Sequence, residues 1–331
     1  MAEVERVAAA ERSTIGQEVA PSRGSSRSSG SVVRRPRLGR ALPYLALLPA
    51  FVTFVLLLGY PVVLVVETSF QHMGLRELIN GGVTWIGFQN YQAIFANPEF
   101  IAATVRTFAF MAVNVALTIV LGTLVAVGMS RMRRSVRLFL SIAMVLAWAT
   151  PALTGSVVFQ WLFDSKLGVV NWALSSPGIF GDWLNHSWFE TGLSTFGIIT
   201  LLIVWQAIPF VAFSLFAGIL SIPPELYEAA KVDGGSERQV FRYVTLPALA
   251  PLLLMLAFLS VIWDFKVFTQ VWTMRQGGPD GQTVTLSIFT YITGLSQRQF
   301  GLASAISVVM VLLLLVVLIP YIRRMLRQVD S

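Results

Sequence analysis

Long unbroken apolar runs alternate with short polar stretches along most of this chain. Six of the runs reach about 20 residues, enough to cover a ~30 Å hydrocarbon core at ~1.5 Å per residue. They lie near Tyr44–Val66, Val105–Gly128, Leu138–Phe159, Phe196–Leu220, Leu249–Trp272 and Leu302–Ile322. Each is too long and too evenly apolar for the alternating strands of a barrel, so the pattern predicts six transmembrane helices. Two carry internal breakers. Trp148 beside Thr150-Pro151, and Trp205-Gln206 with Pro209, predict a broken or kinked third span and fourth span.

The polar stretches assign sides. With six spans both termini share a side with Arg131–Arg137 and with residues 221–247. That side holds 18 of the 24 Lys and Arg, so the positive-inside rule places both termini and the 221–247 loop in the cytoplasm. Residues 1–40, rich in Ser, Arg, Ala and Glu, read as a disordered basic cytoplasmic tail ahead of a membrane domain over 41–331. A signal peptide does not fit, because the polar lead is long, the next apolar run is of spanning length and no small-residue cleavage site closes it.

Composition agrees: 55% of the 331 residues are hydrophobic and 12% are charged. The net charge of +7 is met by anionic lipid headgroups and calls for no nucleic acid. Without cysteine there is no disulfide or thiolate chemistry. None of Lys166, Lys231 and Lys266 follows a glycine, so no phosphate-binding loop exists and the chain is not expected to bind ATP itself. His72 and His186 stand apart in external loops and lack the company a metal site needs. Asp164, Asp182 and Glu190 are scattered, which gives a membrane enzyme little support.

Residues 221–247 read as more than a linker. Pro223-Pro224 suits a helix start, Glu225–Asp233 a short helix, and Gly234-Gly235 its end. Ser236 with Gln239 forms a capping box for a second helix, which Leu246-Pro247 closes before the fifth span. Leu226, Ala229, Ala230 and Val232 offer a small apolar surface flanked by Glu228 and Lys231. On the residues alone, such a knob either rests on the protein's own cytoplasmic face or receives a partner.

Resemblance favours the partner. Glu228-Ala229-Ala230, then Gly234, then Val244-Thr245-Leu246-Pro247 resembles the E-A-A-x-x-x-G-x(9)-I-x-L-P signature of permease subunits of bacterial ABC importers, with Val244 in place of isoleucine. The resemblance implies an all-α, polytopic type I importer permease with six transmembrane helices, its signature-bearing core at about 100–320. It also implies coupling helices docking into separate ATPase subunits, with Glu228, Ala229, Ala230, Asp233, Gly234, Leu246 and Pro247 forming the coupling element. ATP and Mg would then bind on two partner ATPases; a second homologous permease and an external sugar-binding (lipo)protein would complete a complex in the bacterial inner membrane.

Two further stretches resemble the carbohydrate-uptake branch. "WATPALTGSVVFQWLFDSKLGVVNWALSSPG", residues 148–178, resembles the segment where a span ends in W-x-W/F-x-F/L-D and G-x-x-N follows. Residues 265–305 resemble F-x-x-F…T-x-G-G-P…G-x-A-S-A, departing around the first residue of the T-x-G-G-P element. Trp85-Ile-Gly-Phe-Gln-Asn-Tyr91 is similar to the W-x-G-x-x-N-Y element of the glycerol-phosphate and trehalose type, and the Arg- and Ala-rich tail suits an actinobacterial trehalose importer.

Sugars are held by aromatic platforms and by polar groups that exchange hydrogen bonds with hydroxyls; inside a membrane such groups are few and face inward. The candidates are Asn114, Trp148, Trp205, Gln206, Trp263, Asp264, Lys266 and Gln270, with Gln160 and Trp161 nearby. Asp264 and Lys266 are two residues apart, on different helix faces, and are not expected to pair. Either one faces the translocation path, or both anchor at the outer headgroups. The sequence thus reads as the transmembrane subunit of an ATP-driven importer of a sugar, such as the disaccharide trehalose, working by alternating access. An ion-gradient-driven secondary transporter is the alternative, although no inverted repeat is evident.

Overall fold

The computed structural model describes residues 38–177 and 181–329. The tail expected over 1–40 therefore lies outside the described residues, except for Leu38 to Arg40 at the start of a helix. The chain divides into two compact units, one reaching Leu57 and one starting at Leu58. The first holds α1 (Leu38–Phe54), whose outer turns expose Leu47, Phe51 and Phe54.

The second unit opens with α2 (Tyr60–Ser69). Next come a two-residue antiparallel pairing of β1 (Gln71–His72) with β2 (Thr84–Trp85) and the short helices α3 (Leu75–Asn80) and α4 (Gln89–Ala96). The long helix α5 (Pro98–Arg131) starts on an Asn97 cap with Pro98 in its first turn. At 34 residues it is about 51 Å long, so its ends project beyond a hydrocarbon core. Then follow α6 (Arg134–Ala149), α7 (Ala152–Leu162), α8 (Val169–Ser175) and α9 (Gly192–Ser221). The chain continues through α10 (Pro224–Val232), α11 (Glu237–Val240), α12 (Leu246–Phe265), α13 (Thr269–Arg275), α14 (Leu286–Tyr291) and α15 (Phe300–Val329).

Among the described residues, five helical stretches are long and apolar enough to cross a membrane: Ala46–Ser69, Pro98–Arg131, Gly192–Ser221, Glu237–Arg275 and Phe300–Arg323. Helices α6 and α7, which meet at 104° around Thr150-Pro151, reach the same length and apolarity only when counted together as one bent span. The break expected there is thus present, because Pro151 cannot donate and restricts the residue before it. Of the break or kink expected at Trp205-Gln206-Pro209, the break is absent. Helix α9 runs unbroken through Pro209, which is buried against packed neighbours, and one lost hydrogen bond does not end it.

The fifth crossing also departs from expectation. Leu246-Pro247 does not close the preceding helix, since a π turn (Phe241–Thr245) carries α11 straight into α12. The Leu246 N–H reaches Phe241 O, five residues back, which shifts the register just where Pro247 supplies no donor. The crossing breaks instead near Lys266, where the Asp264 carbonyl accepts the Val267 N–H at 3.4 Å and α12 ends.

Helices α5 and α9 pack along each other through small residues. A Cβ added at Gly122 would stand 2.6 Å from Val211 Cγ1, so only glycine admits this approach. Phe110, Ile199, Leu202 and Met274 anchor one core cluster, and Phe100, Phe265, Leu286 and Ile306 another.

Candidate functional site

Two places in the fold gather the residues singled out from the sequence. The first is a cavity of about 450 Å³. Its wall on α9 is the face Ile203, Gln206, Ala207 and Phe210, and its wall on α12 is Ser260, Trp263 and Asp264, continuing through Lys266 to Gln270. Trp148, Thr150 and Ala152, at the bend between α6 and α7, close a third side. Six of the eight sugar candidates thus share one space: Trp148, Gln206, Trp263, Asp264, Lys266 and Gln270.

Asp264 is buried while Lys266 is exposed, and no ion pair joins them. Gln206 Nε2 donates to the Thr150 carbonyl at 3.0 Å, and Gln270 Nε2 donates to Gln206 Oε1 at 3.4 Å. The Trp263 ring meets Phe210 at 5.3 Å. Such a wall offers flat apolar faces beside groups that both donate and accept, which suits a hydroxyl-rich ligand.

Two candidates lie elsewhere. Asn114 is buried in α5, with its Nδ2 bonded to the Phe110 carbonyl at 2.9 Å. Trp205 does not line the cavity, and its ring packs 5.7 Å from that of Phe159. Position 205 is adjacent to 206 in sequence but lies about 100° round the helix from it, so only one of the two joins the cavity face. Gln160 also has a framework role, donating to the carbonyls of Thr273 and Met274. Phe210 and Ser260, both in the wall, carry no charge or polarity unusual for a span. Their one sequence signal is spacing: each lies four residues from a recognised candidate, Gln206 or Asp264.

The second place is the loop between α9 and α12. Helix α10 starts at Pro224, one residue before the expected position, and Asp233 is its cap. Gly234 is left-handed at φ +76°. Its N–H bonds Lys231 O at 3.0 Å, and the Gly235 N–H bonds Ala230 O at 2.9 Å, a Schellman ending. Ser236 and Gln239 form the expected capping box. Tyr227 Oη lies 3.3 Å from Thr245 Oγ1 and ties α10 back to the π turn. Glu228, Ala229 and Val232 stay exposed, and Ala230 is half-buried.

At the opposite end from this loop, the quoted motif residues make framework contacts. Asn90 Nδ2 donates to the carbonyls of Ser69 and Gln71, and Tyr91 Oη meets Ser69 Oγ at 2.7 Å. Asp164 Oδ1 accepts the backbone N–H groups of Leu167 and Lys166, which holds its carboxyl below the ordinary range. Asn171 donates to the carbonyls of Ser165 and His186 and accepts from Trp188 Nε1 at 2.6 Å.

Residues 118–328 match the family described as binding-protein-dependent transport system inner membrane component. The chain belongs to this family. The permease is 44% identical over 295 residues to the diacetylchitobiose uptake system permease protein DasB of Streptomyces coelicolor, covering 89% of this chain and 90% of that one. It is 31% identical over 239 residues to the trehalose/maltose transport system permease protein MalF of Thermococcus litoralis, covering 72% and 79%. Its fold matches the crystal structure of a bacterial ABC transporter involved in alginate import, with a TM-score of 0.75 at 21% identity over 88% of this chain and 97% of that chain. The architecture of the permease is therefore that of a type I importer permease.

Proposed function

We propose that this permease carries a sugar of disaccharide size into the cytoplasm by alternating access, driven by ATP hydrolysed on separate subunits. The observation that carries this reading is the cavity at α9, α12 and the α6–α7 bend. Its two tryptophans and two glutamines are side chains suited to sugar recognition, and its volume of about 450 Å³ falls in the ~300–1,000 Å³ range of small-molecule sites. Similarity to permeases named for diacetylchitobiose and for trehalose/maltose supports the substrate class, with trehalose one candidate within it.

In this reading Glu228 to Pro247 couples the cavity to the ATPases. The Gly234-Gly235 turn joins the two helices of the loop, and Tyr227 Oη, 3.3 Å from Thr245 Oγ1, ties the first back to the π turn that continues the second, so they move as one unit. Helix α11 continues without a stop into α12, which forms one cavity wall. A pull on the loop is thereby a pull on the wall, the rigid-body coupling that alternating access needs. Two Mg-ATP-binding ATPases, a second homologous permease and an external sugar-binding (lipo)protein complete the assembly, with both termini of this chain cytoplasmic.

The test is to tag the chain, extract it gently from its native membrane and identify what remains bound, for the unaltered chain and for Glu228→Lys. We expect an ATPase and a second permease with the former, and loss of the ATPase and of uptake, at an unchanged membrane level, with the latter. Recovery of the chain alone, or uptake that survives ATP depletion under a clamped ion gradient, overturns the reading in favour of a secondary transporter. Uptake of labelled trehalose and labelled diacetylchitobiose then separates the two named sugars.

A further inference from the structure

A short relay of hydrogen bonds crosses the cavity wall and ends on the backbone at the α6–α7 break. Gln206 Nε2, on α9, holds the Thr150 carbonyl at 3.0 Å. Thr150 is where α6 stops, its backbone having turned to φ −68°, ψ 121°. On its other side Gln206 Oε1 accepts from Gln270 Nε2, on α13, at 3.4 Å. The two bonds are unequal: the first has ordinary length, and the second sits beyond the usual N–H···O range.

Gly155 makes room for this arrangement. A Cβ there would stand 3.1 Å from Gln206 Nε2 and 3.2 Å from Leu202 Cδ1. The amide of Gln206 therefore lies against the bare backbone of α7 while it grips the end of α6. A primary amide has two N–H donors and a carbonyl oxygen with two lone pairs, so Gln206 still has one of each to offer. A sugar hydroxyl can take the place of Gln270 on Oε1 at little cost, because the bond it replaces is long.

We propose that Gln206 is a positioning residue that couples occupancy of the cavity to the geometry of the α6–α7 break. Sugar binding exchanges the Gln270 contact for a hydroxyl and releases the Gln270 side chain from Gln206, while α13 stays packed on α9 through Val271 and Met274 and the Thr150 tether carries the adjustment of Gln206 to the bend. The empty and occupied cavities then favour different bend angles, which is what a substrate must achieve if it is to shift a conformational equilibrium. The proposal rests on the sugar-import reading and assigns a part of its coupling to one side chain.

The absence of cysteine from the chain provides a clean probe. Leu153→Cys puts one thiol on α7 at a position that is 58% exposed and outside the cavity lining, so its labelling reports movement rather than shielding by sugar. The rate of labelling by a membrane-permeant maleimide is measured in native membrane vesicles holding the complete importer, with trehalose and diacetylchitobiose each as the added sugar. We expect the transported sugar to change the rate about threefold or more. Gln206→Leu abolishes that response, Gly155→Ala weakens it by crowding Nε2, and Gln270→Leu keeps it but shifts the half-saturating sugar concentration.

A parent that takes up sugar yet labels independently of it, or Gln206→Leu that responds as the parent does, overturns the proposal and leaves the import reading standing. A parent that shows no ATP-driven uptake of any disaccharide removes the import reading as stated, and this proposal with it. If Gln206→Leu does not reach the membrane, Gly155→Ala decides: an undiminished response overturns the proposal, and a diminished one supports it.

Discussion

The guanidinium of Arg131 lies 2.7 Å from the carboxylate of Glu237, joining the last residue of α5 to the first turn of α11 across 106 positions of sequence. Both side chains are more than half exposed, at 57% and 66%, so the pair contributes only ~0–1 kcal/mol to stability. Its consequence is positional: it fixes the loop that carries Glu228 to the end of the helix against which α9 and α12 pack. We expect Glu237→Arg to reduce sugar uptake severalfold with the chain level unchanged, and Arg131→Glu combined with Glu237→Arg to restore most of it. Equal uptake by the single and double variants would show that the contact is incidental.

Close packing of α5 on α9 depends on Gly122. Substitution by alanine drives a methyl group into the buried Val211, 2.6 Å away, with the Ala212 backbone just behind. Overpacking of this kind costs about 1–3 kcal/mol. Gly122→Ala should therefore lower the melting temperature of the detergent-extracted protein, whereas Gly197→Ala, where an added Cβ meets nothing and alanine favours the helix, should hold or raise it.

Asn90 closes the turn after α2. One side-chain nitrogen serves the carbonyls of both Ser69 and Gln71, and the residue is buried. Asn90→Ala strands two acceptors and should cost about 1–3 kcal/mol, read as a lower unfolding temperature. Asn90→Asp should be at least as damaging, because it sets a carboxylate against two carbonyl oxygens.

Asp164 gives a pH signature. The Leu167 and Lys166 N–H groups hold its carboxyl below the ordinary range. A folded-state pKa depressed in this way stabilises the turn fully above the ordinary carboxylate pKa of about 3.9, and that contribution is lost as pH falls below it. Hydrogen exchange at the Leu167 amide should accelerate over that acidic window beyond the intrinsic trend, and Asp164→Asn should remove that excess. A profile unchanged by the substitution would assign the protection to other contacts.

The motifs quoted from the sequence and the cavity residues were legible for different reasons. Asn90, Asp164 and Asn171 mark the family pattern, and in the fold each ties loop backbone together rather than facing the cavity. Gln206, Trp263, Asp264 and Gln270 were visible instead because polar and aromatic side chains are costly in a span and so mark where water or ligand is met. Trp205 and Asn114 carry the same chemistry, but neither lines that cavity. Pro209 was read as a break or kink from its local effect alone, whereas α9 continues unbroken through it with Pro209 buried.

By itself the sequence determined what local physics decides: the apolar lengths that make spans, the bend forced at Thr150-Pro151, and the glycine ending and capping box of the α10–α11 pair. Only the tertiary structure decided that residues 148–152, 203–210 and 260–270 enclose one space and that Gln206 bridges two of its walls. The bridging contacts join positions 56 and 64 residues apart, so they depend on how whole helices rotate and pack. Capping and apolar periodicity act over a few residues, and neither determines which face of a span meets which.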